Sequence, residues 1–324
     1  MSNSQPLALV TGGAGFIGSH LTEALVSLGC QVRVLDNLSS GRAENLSRVR
    51  AKIDFRQADI RDQKALNQAM TGVRVVFHLA ALTSVSASLS DPALYLDVDA
   101  MGSLAVFQAA SQARAQRLVL ASTSAIYGDG PCPQAESQAP QVDNPYAAAK
   151  LLAENLGVYF QRNHHLEVIS LRLFNVYGPR QSLTDGEASV IALFAQAALT
   201  GQSPIIYGDG EQTRDFIEAR DVVRALILAG RTPYPKSGVY NVGTGQAISI
   251  NRLAQLLKEL VPDLPRPIYR PTRLGDSLQS MADMTKSARN LQFSAHIDIR
   301  EGLAALLAQQ KPEKKSPSFS PAKF

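Results

Sequence analysis

The chain has 324 residues, of which 45% are hydrophobic and 19% charged, a balance typical of one large or two closely joined globular domains. Much of the net charge of +4 comes from the last segment, 311–324, with four lysines and one glutamate, so the basic charge is weak support for nucleic-acid binding. Two cysteines, Cys30 and Cys132, lie outside any Cys-x-x-Cys or Cys/His pattern, which argues against a disulfide framework or a metal site.

The start of the chain carries no sign of a targeting segment. Residues 1–6 are polar and a predicted strand follows at once, unlike a secretory signal peptide. No apolar run approaches the roughly 18 residues that a membrane-spanning helix needs. The sequence therefore predicts a cytoplasmic protein without a membrane partner.

A strand, a glycine-rich turn and a helix open the chain. Leu7–Val10 is a short apolar run typical of a buried strand, and apolar residues then recur at helical spacing until Gly29. The turn between them fits both G-x-G-x-x-G and G-x-x-G-x-x-G, through Gly12, Gly13, Gly15 and Gly18. Glycines let the backbone turn tightly and let a pyrophosphate approach a helix N-terminus. An ordinary glycine turn has similar letters, but the position between strand and helix favours dinucleotide binding.

The second predicted strand, Gln31–Leu35, ends at Asp36. An acidic residue at this distance from the glycines accepts a hydrogen bond from the ribose 2′-hydroxyl of NAD and repels the 2′-phosphate of NADP. Arg33 and Arg42 lie nearby and could offset this preference, although both are typical of solvated surface arginines. The sequence therefore predicts NAD as the cofactor.

Strand and helix patterns alternate through the first half of the chain. Further strands are predicted at 54–59, 73–81, 117–122 and 167–173, and helices at 65–70, 93–113 and 145–163. This alternation predicts an α/β fold with a doubly wound parallel sheet of the Rossmann type, with helices on both faces. Ligands of such folds bind beyond the carboxyl ends of the strands.

The second half has frequent glycine- and proline-bearing loops between short elements. We interpret residues 1–178 as an NAD-binding domain and 179–310 mainly as a smaller substrate-binding lobe, from which some segments return to the first domain. Lys, Pro and Ser dominate 311–324, which predicts a disordered tail.

Tyr146 and Lys150 are four residues apart within a predicted helix, so their side chains share one face. A nearby ammonium favours the phenolate and lowers the pKa of the phenol. The pair is therefore predicted to act as a general base that takes a proton from an alcohol. An exposed Tyr-Lys pair would have the same spacing, but this helix follows the fifth strand of a dinucleotide fold. Hydroxyls at the end of that strand, Ser122, Thr123 and Ser124, are candidates to bind the reacting oxygen.

Together these motifs resemble the extended short-chain dehydrogenases/reductases, in the NAD-dependent epimerase/dehydratase family that works on nucleotide sugars. The matching stretches run in order along most of the chain: Thr11–Gly18, Asp36–Asn37, Ala58–Ile60, His78–Ala81, Ser122–Gly128, Tyr146–Lys150, Leu171–Arg180, Ile206–Phe216, Tyr240–Gly243, Arg273–Asp276 and Ala282–Asp283.

The resemblance implies a role for each matching residue. Tyr146 would be the base and Lys150 the ribose anchor. The family's catalytic hydroxyl lies four residues before the Tyr of a Tyr-Gly pair, which is Thr123 here. The implied cofactor contacts, besides Tyr146 and Lys150, are Gly12, Gly15, Phe16, Ile17, Gly18, Asp36, Asn37, Asp59, Ile60, Leu79, Ala80 and Ala81. The implied substrate contacts are Ser84, Thr123, Ser124, Tyr146, Asn175, Arg214, Arg273, Asp276 and Ser280.

Several positions depart from relatives and bear on the reaction. Asp99 stands where the family has Asn, and Ala87 where relatives often carry Arg. Related dehydratases have an Asp-Glu pair after the catalytic hydroxyl, and related decarboxylases a Glu two residues before the Tyr. Here these positions hold Ser124 and Ala125. Without that carboxylate, the resemblance implies NAD-dependent 4-epimerisation of a UDP-hexose, through a transient 4-keto sugar.

The resemblance also implies a substrate range and a homodimer. Ser280 occupies a position that gates the space at the sugar C2, where a small residue admits an N-acetyl group. We therefore expect UDP-N-acetylglucosamine and UDP-N-acetylgalactosamine as substrates besides UDP-glucose and UDP-galactose, unless Ser280 is a surface serine. Helices 93–113 and 145–163 pair across a dimer in relatives; alternatively, their small and apolar faces (Ala105, Ala109, Leu151, Leu152, Leu156) cover the sheet.

Other functions stay open at this point. A decarboxylase or sugar reductase of the same family would release CO₂ or NADH. A non-catalytic nucleotide sensor of the same fold would lack the Tyr or the Lys, and both are present. Nucleic-acid binding through the basic tail is not supported by the rest of the sequence, which has no basic or aromatic patch.

Overall fold

The computed structural model describes residues 6–183, 189–231, 237–272 and 278–310. The predicted tail, Arg273 and Asp276 lie outside these residues. The strands are β1 (Leu7–Thr11), β2 (Gln31–Asp36), β3 (Ile53–Gln57), β4 (Val73–His78), β5 (Arg117–Thr123), β6 (Glu167–Leu173), β7 (Asn175–Tyr177), β8 (Ile205–Tyr207), β9 (Thr213–Glu218), β10 (Gly238–Val242), β11 (Ala247–Ser249), β12 (Ile268–Arg270) and β13 (Gln279–Ser280).

The helices are α1 (Phe16–Ser27), α2 (Gln63–Met70), α3 (Val85–Ser90), α4 (Pro92–Tyr95), α5 (Gly102–Gln112), α6 (Pro145–His164), α7 (Val190–Thr200), α8 (Ala219–Arg231), α9 (Ile250–Leu260), α10 (Thr285–Asn290) and α11 (Ile299–Gln310). Short 3₁₀ turns lie at Ala43–Leu46, Arg50–Lys52 and Ser124–Tyr127. None of the helices in the described ranges combines the length and apolarity needed to cross a membrane.

A seven-stranded parallel sheet forms the centre of the described chain, in the order β10-β6-β5-β4-β1-β2-β3. Its strands are rich in buried Val, Leu and Ile, because helices cover both faces. Helices α1 and α8 pack together on one face, and α2, α5 and α6 cover the other. The predicted Rossmann fold is confirmed, and the strand order reverses between β1 and β4, where such folds bind ligands.

Two predicted elements differ most from the structure. Strand β4 stops at His78 instead of Ala81, and the Leu82 N–H in the loop that follows donates to the Asp99 carboxylate at 2.8 Å. The predicted helix 93–113 is interrupted: a π-helical turn, Leu96–Met101, joins α4 to α5. Such turns are rare and often mark functional sites.

The second half forms smaller sheets and also completes the first one. Strand β9 pairs with β7, β11 and β13, and β8 pairs with β12. Helices α7, α9 and α11 share a separate apolar core with this region. Strand β10 joins the central sheet beside β6, and α8 packs on α1. Segments after residue 178 therefore belong partly to the central sheet with its helices and partly to the smaller lobe. That the later lobe binds the substrate stays a prediction.

Candidate active site

One large cavity, of about 1290 Å³, lies between the carboxyl ends of the central strands and the second lobe. Every predicted site residue that the structure describes lines it. These residues are Gly12, Gly15, Phe16, Ile17, Gly18, Asp36, Asn37, Asp59, Ile60, Leu79, Ala80, Ala81, Ser84, Thr123, Ser124, Tyr146, Lys150, Asn175, Arg214 and Ser280. The parallel sheet explains this convergence, because its strands all end at one edge.

The glycine turn leaves room for a pyrophosphate. Gly12 has a φ of +70°, and a Cβ there would lie 2.6 Å from the Ala80 nitrogen. A Cβ at Gly18 would collide with the Gly12 carbonyl oxygen. No side chain caps the start of α1 at Gly15, and the N–H groups of a first helical turn have no intrahelical acceptor. The turn therefore fits the phosphates of a dinucleotide.

Acidic side chains lie where the ribose and base of the dinucleotide would bind. Asp36 accepts hydrogen bonds from the backbone N–H groups of Ala14 and Leu38, both at 2.8 Å, and keeps lone pairs for a ribose hydroxyl. The pKa of Asp59 is held well below its usual range by hydrogen bonds from Arg61, and Asn37 also donates to this carboxylate at 2.9 Å.

The two arginines near Asp36 differ in their surroundings. The Arg33 guanidinium is engaged by Asp54 at 2.6 Å and by the carbonyl oxygen of Ala69 at 2.7 Å. Arg33 is therefore not the solvated arginine that we expected. Arg42 is exposed, as expected, but it also lines the cavity.

The catalytic candidates lie side by side on α6 and β5. The helix begins where the Asn144 side chain accepts the Ala147 N–H at 2.9 Å, followed by Pro145 at the first helical position. Tyr146 and Thr123 both line the cavity, and the Thr123 hydroxyl lies close enough to the phenol to influence its pKa. Lys150 is 3% exposed, and its ammonium donates to the Ala121 carbonyl at 3.1 Å.

Ser122 also lines the cavity, but its hydroxyl is engaged by another residue. Its hydroxyl donates to the buried Glu154 carboxylate at 2.5 Å. The same carboxylate pairs with the buried Arg172 guanidinium at 2.8 Å. The Ser122 hydroxyl is therefore engaged by Glu154, whereas the Thr123 hydroxyl opposes the rise in the pKa of Tyr146.

Burial dominates the electrostatics of the site. It raises the pKa of the Tyr146 phenol, a direction that Asp99 and Tyr95 reinforce and the Thr123 hydrogen bond opposes. It also lowers the pKa of Lys150, against the effect of Asp99 and Glu154. Lys150 is not among the groups that shift the pKa of Tyr146, so the lowering of this pKa by Lys150 together with the positive charge of NAD stays a prediction.

The substrate candidates line the cavity on the side of the second lobe. Asn175 donates to the Asp215 carbonyl oxygen at 3.3 Å, and Arg214 to that of Thr213 at 2.9 Å. Ser280 pairs with Arg214 in the register of β13 and β9. The Ser84 hydroxyl caps α3 by accepting the Ala87 N–H at 3.0 Å.

Sequence patterns missed some residues of the site. The ring of Tyr95 meets that of Tyr146 edge-on, with centroids 6.4 Å apart, and buried Gln134 also lines the cavity. Tyr95 falls within the predicted helix 93–113, but no local pattern shows that its helix packs against α6. Gln134 lies in a loop and carries no motif signal.

This fold and this cavity define a dinucleotide-dependent enzyme whose tyrosine and lysine share one helix. The model of the NAD dependent epimerase/dehydratase family matches residues 8–243. A UDP-glucose 4-epimerase of Mycolicibacterium smegmatis is 37% identical over 306 residues, which cover 91% of this chain and 96% of that protein.

Solved structures agree with the family match. The UDP-glucose 4-epimerase of Thermotoga maritima, with UDP-glucose, aligns with a TM-score of 0.89 at 38% identity and covers 94% of this chain and 98% of that one. The UDP-N-acetylglucosamine 4-epimerase of Methanobrevibacter ruminantium, in complex with UDP-N-acetylmuramic acid, aligns with a TM-score of 0.90 at 36% identity and the same coverage. The chain belongs to the NAD-dependent epimerase/dehydratase family. The predictions of an enzyme and of NAD as its cofactor are confirmed.

Asp36→Asn is expected to weaken NAD binding about tenfold or more, because a hydrogen bond to a charged acceptor contributes ~1.5–3 kcal/mol. In wild type, each Asp36 oxygen accepts one backbone N–H, from Ala14 and from Leu38. The asparagine side chain has a single oxygen in place of these two acceptors. Discrimination against NADP should fall, because the repelling charge is gone. Calorimetric titration with both dinucleotides measures this, with Asp263→Asn, an exposed residue of the second lobe, as the control. An unchanged preference for NAD would contradict the assigned role of Asp36.

Proposed function

We propose that the protein is a UDP-sugar 4-epimerase that keeps NAD bound through the reaction cycle. The observation that carries this proposal is that Tyr146, Lys150 and Thr123 line the same cavity as the glycine turn. The epimerases among its relatives support the same reaction.

The roles follow from the positions of the side chains. When bound, NAD supplies a hydride acceptor and a positive charge. Tyr146, as phenolate, takes the proton of the sugar 4-hydroxyl, and Thr123 hydrogen-bonds the same oxygen. Arg214 holds the pyrophosphate, as a planar guanidinium suits phosphate oxygens. The 4-keto sugar can then turn about this anchor and present its other face, so that C4 is inverted when it is reduced again.

The lining of the cavity argues against elimination of water. Ser124 and Ala125 follow Thr123 and carry no carboxylate. Among the described lining residues, the carboxylates are Asp36 and Asp59, on the cofactor side, and Asp143. Asp143 accepts a hydrogen bond from the Asn144 side chain at 2.6 Å. A dehydratase would therefore lack its acid beside the sugar, and a decarboxylase would lack its glutamate.

Tyr146→Phe is expected to lower kcat by about 100-fold or more, since positioned acid–base catalysis contributes on that scale. The assay incubates the purified protein with UDP-glucose or UDP-N-acetylglucosamine, without added NAD, and resolves the C4 epimers.

Tyr159→Phe, an exposed tyrosine on the same helix, is the matched control and should keep wild-type turnover. Equal activity of Tyr146→Phe and wild type would rule out the assigned base. Release of CO₂ from a UDP-uronate would identify the protein as a decarboxylase instead of an epimerase. Net accumulation of NADH would identify it as a sugar reductase.

Ser280 supports a pocket that accepts acetylated sugars. It lines the cavity and is 9% exposed, so the alternative of a surface serine is disfavoured. Its side chain is small, and its strand fixes it beside Arg214. We propose UDP-N-acetylglucosamine and UDP-N-acetylgalactosamine as substrates together with UDP-glucose and UDP-galactose.

Ser280→Tyr should reduce kcat/KM for UDP-N-acetylglucosamine by about tenfold or more, because overpacking costs ~1–3 kcal/mol. Turnover of UDP-glucose should change much less. Ser280→Ala, which stays small, should keep both activities. Undiminished epimerisation of the acetylated sugar by Ser280→Tyr would show that this position does not gate the pocket.

We also propose a homodimer through α6 and the segment from α4 to α5. These elements pack against each other, and together they expose the large apolar residues Leu96, Met101, Leu152 and Tyr159. The predicted contacts Ala105, Ala109 and Leu156 instead pack on the core of the sheet, where they cover it. The exposed residues are the ones that a partner copy would bury.

Leu152→Glu should convert the dimer to a monomer, because it places a charge within the proposed apolar interface. Light scattering after size-exclusion chromatography gives the mass. Leu28→Glu, which alters an exposed leucine at the end of α1, should leave the dimer intact. A monomeric wild type, or a dimeric Leu152→Glu, would exclude this interface.

A further inference from the structure

A buried carboxylate, that of Asp99, lies beside the site without a complete set of partners. It is in the π-helical turn Leu96–Met101 and has no exposed surface. Its Oδ1 accepts the Leu82 N–H at 2.8 Å, but its Oδ2 has no hydrogen-bond partner among the described residues. A buried polar atom left unpaired is costly and calls for an explanation.

The neighbouring helix supplies a matching charge. The π-helical turn packs against α6, and Tyr95, just before the turn, contacts Tyr146. Lys150, one turn after Tyr146, is buried, and its ammonium has three donors. Its one hydrogen bond to a described residue goes to a neutral carbonyl, that of Ala121. A buried ammonium and a buried carboxylate thus lie on two packed elements, and the charge of each shifts the pKa of the other.

We propose that Asp99 is a positioning residue whose carboxylate is the counter-charge of Lys150 and, through Leu82, fastens the loop after β4 along the cavity. This inference rests on the proposed function, because it assigns how that site keeps its lysine charged. Burial lowers the pKa of the Lys150 ammonium, and removing one member of a buried pair leaves the other uncompensated.

The other titratable groups around Asp99 do not replace it. His78, on β4, is linked to the turn through the Ser103 hydroxyl, and burial lowers its pKa to about 3, so it stays neutral. Glu154, on α6, is bonded by Arg172 and Ser122. Tyr95 and Tyr146 are phenols that supply no carboxylate, and burial raises the pKa of the Tyr146 phenol. Lys150 in turn lowers the pKa of Asp99, which burial raises.

Asp99→Asn is the test, because it keeps the size of the side chain and an oxygen for the Leu82 N–H. The protonation of Lys150 is read by competitive labelling with acetic anhydride from roughly pH 5 to 10, with mass spectrometry of the peptide that contains it. The labelling midpoint should fall by about one to three pH units, the scale of a lost opposite charge. In the epimerase assay, the alkaline limb of kcat should move to lower pH, so that activity recovers on acidification.

Asp91→Asn is the matched control. It changes the same charge on the same helical segment, at an exposed N-cap position that Asn also satisfies, and neither readout should move. A labelling midpoint in Asp99→Asn equal to that of wild type would overturn the proposal. The labelling does not depend on turnover, so absence of epimerase activity would refute the proposed function without deciding this inference.

A second measurement applies if Asp99→Asn folds poorly. Asp99→Asn, Lys150→Met and the double variant are compared by urea denaturation. If the two charges compensate each other, the double variant should unfold at a higher urea concentration than Asp99→Asn alone, because it removes the orphaned ammonium. Strictly additive losses would overturn the proposal.

Discussion

The attachment of α6 to the central sheet is the constraint on which the site depends. Glu154, on the buried face of α6, accepts two hydrogen bonds from Arg172 of β6, at 3.0 and 2.8 Å, and one from Ser122 of β5. The Arg172 guanidinium also lies 4.7 Å from the centre of the Tyr127 ring. A buried ion pair contributes little net stability, but its geometry is specific. It fixes the rotation of α6, and with it the direction of Tyr146.

A helix anchored in this way buries its reactive groups and makes them sensitive to local charge. Burial favours the neutral forms of both Tyr146 and Lys150. A positive charge near the phenol favours the phenolate, and a negative charge near the ammonium favours the protonated amine. The spacing of the two residues on the helix therefore does not by itself set their protonation states. In the proposed mechanism, the charges brought to the cavity decide when Tyr146 acts as a base.

The site was largely predictable because it is built from strand ends and helix starts, which have local signals. The Asn-Pro start of α6 and the glycines before α1 are read from neighbouring residues alone. The π-helical turn around Asp99 was not predictable, because its packing against α6 is a tertiary contact. The same holds for β10, whose place beside β6 no local pattern specifies. The burial of Tyr146, which raises the pKa of its phenol, was not predictable, because burial is a property of the whole fold.

The second lobe positions Ser280, the proposed gate, with the help of a buried acid. The Asp215 carboxylate accepts backbone N–H groups of Thr244 and Gly245, at 2.8 and 2.9 Å, and that of Ala282 at 3.2 Å. It thereby ties the segment after β13 to β9, where Arg214 lies next to Asp215. Because Ser280 is two residues before Ala282, this carboxylate fixes the distance between the proposed gate and the proposed pyrophosphate anchor. The geometry of the proposed gate thus depends on the hydrogen bonds to Asp215 inside the lobe, as well as on the size of the Ser280 side chain.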